Sequence, residues 1–393
     1  MKLIISSLTA LLFTGAFLSA QMPGMVTMQQ ASASQGTSLG ANTTSGAAGI
    51  ALGNRVVMRG YVDFIYGHTD FSESLENDTR FSTSADVDFL FDFSPVTAEV
   101  HLAATTDDIG LEQAFGRYAF NRDFNISFGR QVTSLGYEGD EATDLSSVTT
   151  AYFTDVSLNS SSYKDNLQTA VSAGATALLI SPSNPGYVNG LKYTDAVTFS
   201  KAAVNALPKL RKNYVDGVKA NFNNGKFGLS LGLHDGYWGP DNFNDHVAVD
   251  IAASLMIIPG LEARLGYAHQ DSDDYSDVSH FNGWLAYNPG DLTLALEFDT
   301  FDIQNDAQIW DVMLMANYQF SNWFAMTLRY SHEDVEDILK SAGVSGLEYD
   351  SDRITLALLF SITQNFGINV EYSHTEFSDD SADEFYVEGL LTF

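Results

Sequence analysis

Charged side chains recur in this chain at alternate positions of otherwise apolar stretches: Arg59, Asp63, Asp86, Asp88, Glu99, Arg117, Lys219, Arg264, Glu297, Asp299, Asp311, Arg329 and Glu371. In Ala85 to Phe93, for example, Val87, Phe89, Phe91 and Phe93 point one way while Asp86, Asp88 and Asp92 point the other. Their order offers no nucleophile–base pairing, and the eight histidines show no HExxH or similar metal-ligand spacing. What rows of fixed charge can do is electrostatic. Facing a narrow body of water, they set a field that sorts small ions and polar solutes, or they simply keep that space wet.

The elements that must hold these rows are strands, because only period-two geometry puts every second residue on one face. The alternation begins at Val56 and recurs in Val96 to Ala104, Phe227 to His234, Leu292 to Thr300 and Ile354 to Ser361. The connections alternate too. Short turns are expected at Ser94-Pro95, Asn121 to Asp123, Asn223 to Gly225, Pro259-Gly260, Asn288 to Asp291, Ser321-Asn322 and Thr363 to Asn365. Between them lie mostly longer, acidic connections, among them Asp271 to Ser279, His332 to Ser351 and His374 to Ala382. Five strands precede Val132 and eleven follow Lys212. That predicts an all-β, transmembrane antiparallel β-barrel of about sixteen strands, with short periplasmic turns and long extracellular loops. The alternative is eighteen, if two strands hide between Thr133 and Arg211. On the lipid-facing reading the charged rows turn inward and line the pore, since an Arg or Lys facing lipid at the midplane costs about 2–4 kcal/mol.

Composition agrees and excludes other classes. No apolar run after the N-terminus approaches a membrane helix. Cysteine is absent, so disulfides, thiolate metal sites and Cys nucleophiles are excluded. Fifty acidic against nineteen basic residues exclude non-specific nucleic-acid binding. Phe93, Phe120, Phe124, Phe222, Phe227, Phe320, Trp323 and Phe366 bracket the short turns, as an interfacial aromatic girdle would.

The domain reading is a signal peptide over 1–20, a flexible periplasmic leader over 21–54, and a barrel over 55–393 with a long insertion at 133–211. Within the insertion, Ser200 to Arg211 reads as a short amphipathic helix and Tyr187 to Val197 as a candidate strand. Lys192, Lys201, Lys209, Arg211, Lys212, Lys219 and Lys226 make a basic cluster there, expected to face acidic wall residues and polarise a constriction. No cofactor or metal site is expected beyond loose divalent-cation binding by acidic loops such as Asp271 to Asp277.

The chain ends in Phe393, on the face of Phe385, Val387, Gly389 and Leu391. A terminal strand closing on an aromatic residue resembles the assembly signature of bacterial outer-membrane barrels. The runs Phe128-Gly129-Arg130-Gln131, Gly136-Tyr137-Glu138 and Tyr214 to Trp238 resemble outer-membrane porins, more closely the OmpL-like β-barrel porins. That resemblance implies a cell outer-membrane location and a constriction loop after the fifth strand, where the insertion falls. It also implies a non-enzymatic, passive diffusion channel for small hydrophilic solutes and ions. Barrel phospholipases keep a Ser/His pair on the outer wall, whereas His101 and His234 fall among inward positions. The excess of inward acids predicts a weak cation preference. A surface structural or adhesive barrel with a plugged lumen is the alternative. Expected partners are outer-membrane lipid and lipopolysaccharide, the barrel-assembly machinery and the solutes, with a homotrimer as one assembly open to it.

Overall fold

A computed structural model describes residues 49–72, 78–106, 109–139, 141–152, 187–188, 191–192, 211, 214–238, 247–271, 277–303, 307–336, 349–377 and 381–393. Sixteen strands form the barrel: β1 (Val56–Phe71), β2 (Asp78–Phe93), β3 (Val96–Ala104), β4 (Ile109–Ala119) and β5 (Phe124–Val132). After the insertion come β6 (Tyr214–Asn223), β7 (Phe227–Asp235), β8 (Val247–Ile258), β9 (Leu261–Gln270), β10 (Val278–Tyr287) and β11 (Leu292–Ile303). The circuit finishes with β12 (Ala307–Ser321), β13 (Phe324–Glu336), β14 (Tyr349–Ser361), β15 (Phe366–Phe377) and β16 (Ser381–Thr392).

Each strand pairs antiparallel with its chain neighbour, and β16 pairs back onto β1 from Ala382↔Phe71 to Thr392↔Tyr61. Closure leaves no open edge, which is what hydrocarbon demands of a sheet. Phe393 completes the seam by exchanging backbone hydrogen bonds with Gly60 at 3.0 Å in both directions. Just beyond it Ile50–Ala51 pairs with Val57–Met58. The candidate extra strands do not join the barrel: Tyr187–Val188 and Leu191–Lys192 pair only with each other. Sixteen is therefore the count among the described residues, and eighteen is not realised.

Burial follows the period-two pattern. Outward Leu231, Ile251, Leu265, Leu285, Leu314, Leu328 and Ile354 are exposed, Leu265 by 60%. Their buried inward neighbours include Ser230, Asp250, Arg264, Thr327, Arg329, Arg353 and Thr355, but Trp284, Ala286, Met313 and Met315 beside Leu285 and Leu314. A nine-residue strand such as β5 rises about 30 Å, and a tilt of about 40° brings that to roughly 23 Å, close to the apolar band of a barrel. The aromatics at the turn end stand outward and pack on one another, as in Tyr118–Phe120–Phe124 and Phe320–Phe324–Phe360.

All seven expected short turns connect strands at this end. Their chemistry is local: Gly225 adopts φ 84°, while the Asn224 carboxamide oxygen accepts from the Lys226 and Phe227 amides. At the other end two loops are shorter than expected, because β13 continues to Glu336 and β15 to Phe377. There the outer face turns polar, with Trp310 Nε1 donating to Asp334 at 3.0 Å, Tyr330 to Asp352 at 2.5 Å and Tyr372 to Asp383 at 2.6 Å. The ladder outlasts the apolar alternation once the strands clear the lipid. Residues 1–48, and with them the signal and most of the leader, lie outside the described residues, as does the expected helix at 200–210.

Candidate functional site

The insertion leaves β5 at Val132 and turns into the barrel. Because β5 and β6 are themselves paired, Val132 opposite Tyr214, the wall needs nothing from the insertion to stay closed. Lys219 and Gln113 fix its root: Val132 N donates to Gln113 Oε1 at 3.1 Å, and Lys219 Nζ donates to the Val132 carbonyl. In β5 itself, Gly129 adopts φ 119°, and a Cβ there would sit 2.4 Å from the Ala114 carbonyl oxygen. Only glycine allows that approach.

From this root the loop reaches across the lumen. Arg264 Nη2 on β9 donates to the Ser134 carbonyl at 2.9 Å, and Leu135 packs with Tyr237, Ala248 and Ala268. Tyr137 meets Trp284 of β10 edge to face at 5.6 Å, and its amide donates to Glu297 of β11 at 2.5 Å. Tyr137, Ala151 and Tyr152 share one apolar cluster with Trp284, Ala286, Ala295, Met313 and Met315. Glu138 reaches Arg329 on β13 at 2.6 Å. In a ring of sixteen, β13 stands eight strands from β5, so the loop spans the bore.

Arg329 is the centre of the anchorage. Its side chain is 1% exposed. Nη1 donates to Glu138 (2.6 Å), the Ser147 hydroxyl (2.8 Å) and the Thr149 carbonyl (2.9 Å), and Nη2 to the Thr150 carbonyl (2.9 Å). On β15, Glu371 accepts from the Val148 and Thr149 amides at 2.6 and 3.2 Å. Thr327 and Ser331 donate to the Ser146 and Ala151 carbonyls, each at 2.5 Å. A loop at membrane depth has no ladder of its own, so these wall side chains satisfy its backbone.

Arg211, near the far end of the insertion, binds Asp299 at 3.3 Å and Asp311 through its Nη2. Its guanidinium lies 4.1 Å from the Tyr152 ring centroid and 4.9 Å from that of Phe301. Burial, reinforced by Glu297, Asp311 and Asp299, pushes the Tyr152 phenol well above its usual value, so it remains a donor toward Glu297.

The wall residues predicted to face inward can be placed by their burial. Arg59, Asp63, Asp86, Asp88, Glu99, Lys219, Arg264, Glu297, Asp299, Asp311, Arg329 and Glu371 are all buried, and Arg117 is 11% exposed beside Glu99. The basic cluster fares differently. Lys201, Lys209 and Lys212 lie outside the described residues. Lys226, grouped with them by sequence, sits in the short β6–β7 turn at the opposite end of the barrel, because the ten residues of β6 carry the chain across the membrane before reaching it. Among the described members of the cluster, Arg211 faces Asp299 and Asp311, and Lys219 stands on the wall itself within reach of the field of Asp250.

Several inward residues went unnamed at the level of sequence. Asp250, Glu262, Glu333, Arg353, Glu384 and Glu388 share the parity of those that were named, and parity alone could have found them. Three inward histidines each hold a carboxylate: His234 with Asp250 at 2.9 Å, His280 with Asp299 at 2.5 Å, and His101 with Asp88 at 2.7 Å. Glu141 carried no sequence signal, and Glu138 only its place in the run Gly136-Tyr137-Glu138.

Residues 213–390, from just before β6 to the end of β16, match the model of the family described as "Putative beta-barrel porin-2, OmpL-like". Of the two resembling stretches, Tyr214 to Trp238 lies inside this match and Phe128 to Glu138 outside it. Among solved structures, OmpT of Vibrio cholerae is 12% identical with a TM-score of 0.53, covering 88% of this chain and 100% of its own. OprB of Pseudomonas putida is 10% identical with a TM-score of 0.56, covering 86% and 94%. OmpF of Salmonella typhi, in complex with daunomycin, is 10% identical with a TM-score of 0.53, covering 86% and 98%. At such identities the shared feature is the fold. No curated protein matches the chain in sequence. The closed sheet, its apolar belt and these likenesses identify the chain as a sixteen-stranded β-barrel of the cell outer membrane, similar over residues 213–390 to the OmpL-like β-barrel porins.

Proposed function

We propose that the protein is a passive diffusion channel for small hydrophilic solutes and ions, narrowed by its own insertion and weakly selective for cations. The observation that carries this reading is residues 133–152, bonded from β9 to β15 across the inside of the barrel. A sixteen-strand barrel otherwise encloses an aqueous channel, so a segment inside it sets the bore. Among the described residues, fourteen buried carboxylates stand against six buried Arg and Lys. Negative potential focused in a narrow aqueous path concentrates cations. A trimer form is among the OmpT structures of similar fold, which supports a homotrimer as the assembly here.

One observation favours a second reading. The lining charges are almost wholly covered, Glu371, Asp299 and Asp311 to 0% exposure, which suits a barrel closed until its loop is displaced. Planar-bilayer recording separates the two. Replacing residues 134–210 by a short Gly-Ser linker should leave the barrel closed, since Val132 and Tyr214 are already paired, and should enlarge the conductance steps. Steps from the wild type support the open channel, and steps from the shortened variant alone support the closed barrel. Equal steps from both would overturn the constriction. Reversal potentials across a KCl gradient should show cation preference that fades near 1 M salt, where the Debye length is about 3 Å; anion preference would overturn that part.

A further inference from the structure

On the inner wall of β2 and β3, four potential ligands converge. Asp86 and Asp88 lie two apart on one face of β2, and His101 of β3 stands directly opposite Asp88 in the ladder. Glu141 approaches from the inward loop. One donor atom from each of the four lies within 4.8 Å of the others, and all four side chains are buried. Around a tetrahedral ion with bonds of about 2.1 Å, donors stand roughly 3.4 Å apart. Closing the set therefore takes side-chain shifts of up to about 1.4 Å.

The telling member is Asp86. It is 1% exposed, and neither of its carboxylate oxygens has a hydrogen-bond partner. The groups acting on it are themselves acids: Glu141, Asp88 and Glu112. Burying a charged carboxylate among other acids is strongly unfavourable. Arg59 Nε binds Asp88 Oδ2 at 3.0 Å.

The surroundings of His101 match those of a metal-bound imidazole. Its Nε2 lies 3.1 Å from Glu99 Oε2, and Glu99 Oε1 is 3.6 Å from Arg117 Nη2. A ligating histidine commonly donates its second ring N–H to a carboxylate in this way. Nδ1 then faces the cluster, 2.7 Å from Asp88 Oδ1, 3.8 Å from Glu141 Oε1 and 3.3 Å from Gln113 Nε2. We propose that Asp86, Asp88, His101 and Glu141 form a lumenal binding site for a divalent first-row transition cation. Three carboxylates beside one arginine leave a net charge that such an ion neutralises. The mixed oxygen and imidazole donors suit Zn²⁺ or Mn²⁺, whereas Ca²⁺ and Mg²⁺ take all-oxygen sets. Since Glu141 belongs to the loop, the ion braces the loop against β2 and β3, across the bore from Arg329. None of this depends on whether the barrel conducts.

The test uses the full chain in detergent, stripped with a chelator and dialysed against Zn²⁺. Wild-type protein should retain one equivalent, a tenfold excess of Ca²⁺ should not displace it, and Asp291→Asn at an exposed turn should change nothing. Asp86→Asn and Glu141→Gln should abolish retention while heat-modifiable mobility shows the barrel intact. Glu99→Gln, which only positions His101, should weaken binding roughly 10- to 100-fold. Should the variants fail to fold, Zn K-edge absorption of the wild type still reads the site, as an oxygen-rich shell containing one imidazole. Absence of retained zinc in the wild type, retention by folded Asp86→Asn, displacement by Ca²⁺ or a shell without imidazole would each overturn the proposal.

Discussion

Arg329→Met is the sharpest perturbation of the inward loop. The arginine is 1% exposed and donates to Glu138, the Ser147 hydroxyl and the Thr149 and Thr150 carbonyls. Methionine fills comparable space yet leaves the Glu138 carboxylate and two carbonyls without their donor. Breaking a buried pair by removing one partner costs about 3–5 kcal/mol. At 1.4 kcal/mol per decade, that shifts docking of residues 146–151 by roughly two to three and a half orders of magnitude. Hydrogen exchange reads such a local opening directly. The Val148 amide, held at 2.6 Å by Glu371, should lose at least about a hundredfold in protection, while amides of the β13–β14 ladder keep theirs. Arg329→Lys should fall between, because one ammonium cannot reproduce the fork of donors. If Val148 exchanges within threefold of the wild type in Arg329→Met, the loop is held by its other contacts and the reasoning fails.

Two further predictions concern the wall. Leu328 is 51% exposed on the outer face near the middle of β13, so Leu328→Arg should lower stability by about 2–4 kcal/mol in urea titrations of the bilayer-inserted protein; an unchanged midpoint would place that face out of lipid. Phe393→Asp removes the aromatic ending that meets Gly60 in the seam and should slow insertion, leaving chain in the periplasm; an unaltered outer-membrane yield would make the ending incidental.

The wall was legible in the sequence because lipid enforces it. A residue such as Leu265 must be apolar and Arg264 must not face outward, so hydrophobicity reports side directly. Strand ends were less legible. Near Asp334 and Glu336 the outer face is polar while Val335 joins an apolar cluster inside, so the outward-apolar signal is lost although pairing continues to Glu336. The candidate cation cluster was invisible for another reason. Asp86 and Asp88, His101 and Glu141 come from three segments, and only the register of Asp88 on His101, together with the inward turn of the loop, assembles them. The same holds for the basic run from Lys192 to Lys226, where closeness in sequence concealed the length of a whole strand between Lys226 and the insertion.

The wall charges answer to two demands at once. An irregular loop at membrane depth survives only if something supplies partners for its amides and carbonyls. Here Glu297 and Glu371 take the amides of Tyr137, Val148 and Thr149, while Arg264 and Arg329 take the carbonyls of Ser134, Thr149 and Thr150. Those four charges are spent largely on the loop, and their fields are largely cancelled by the dipoles they bind. Other carboxylates are turned to wall neighbours, as Asp250 is to His234 and Glu388 to Asn369, or lack hydrogen-bond partners altogether, as Asp86 does. On the channel reading, any field that acts on passing ions comes mainly from this second group. Holding the loop and favouring cations are then tasks given to different residues on the same wall.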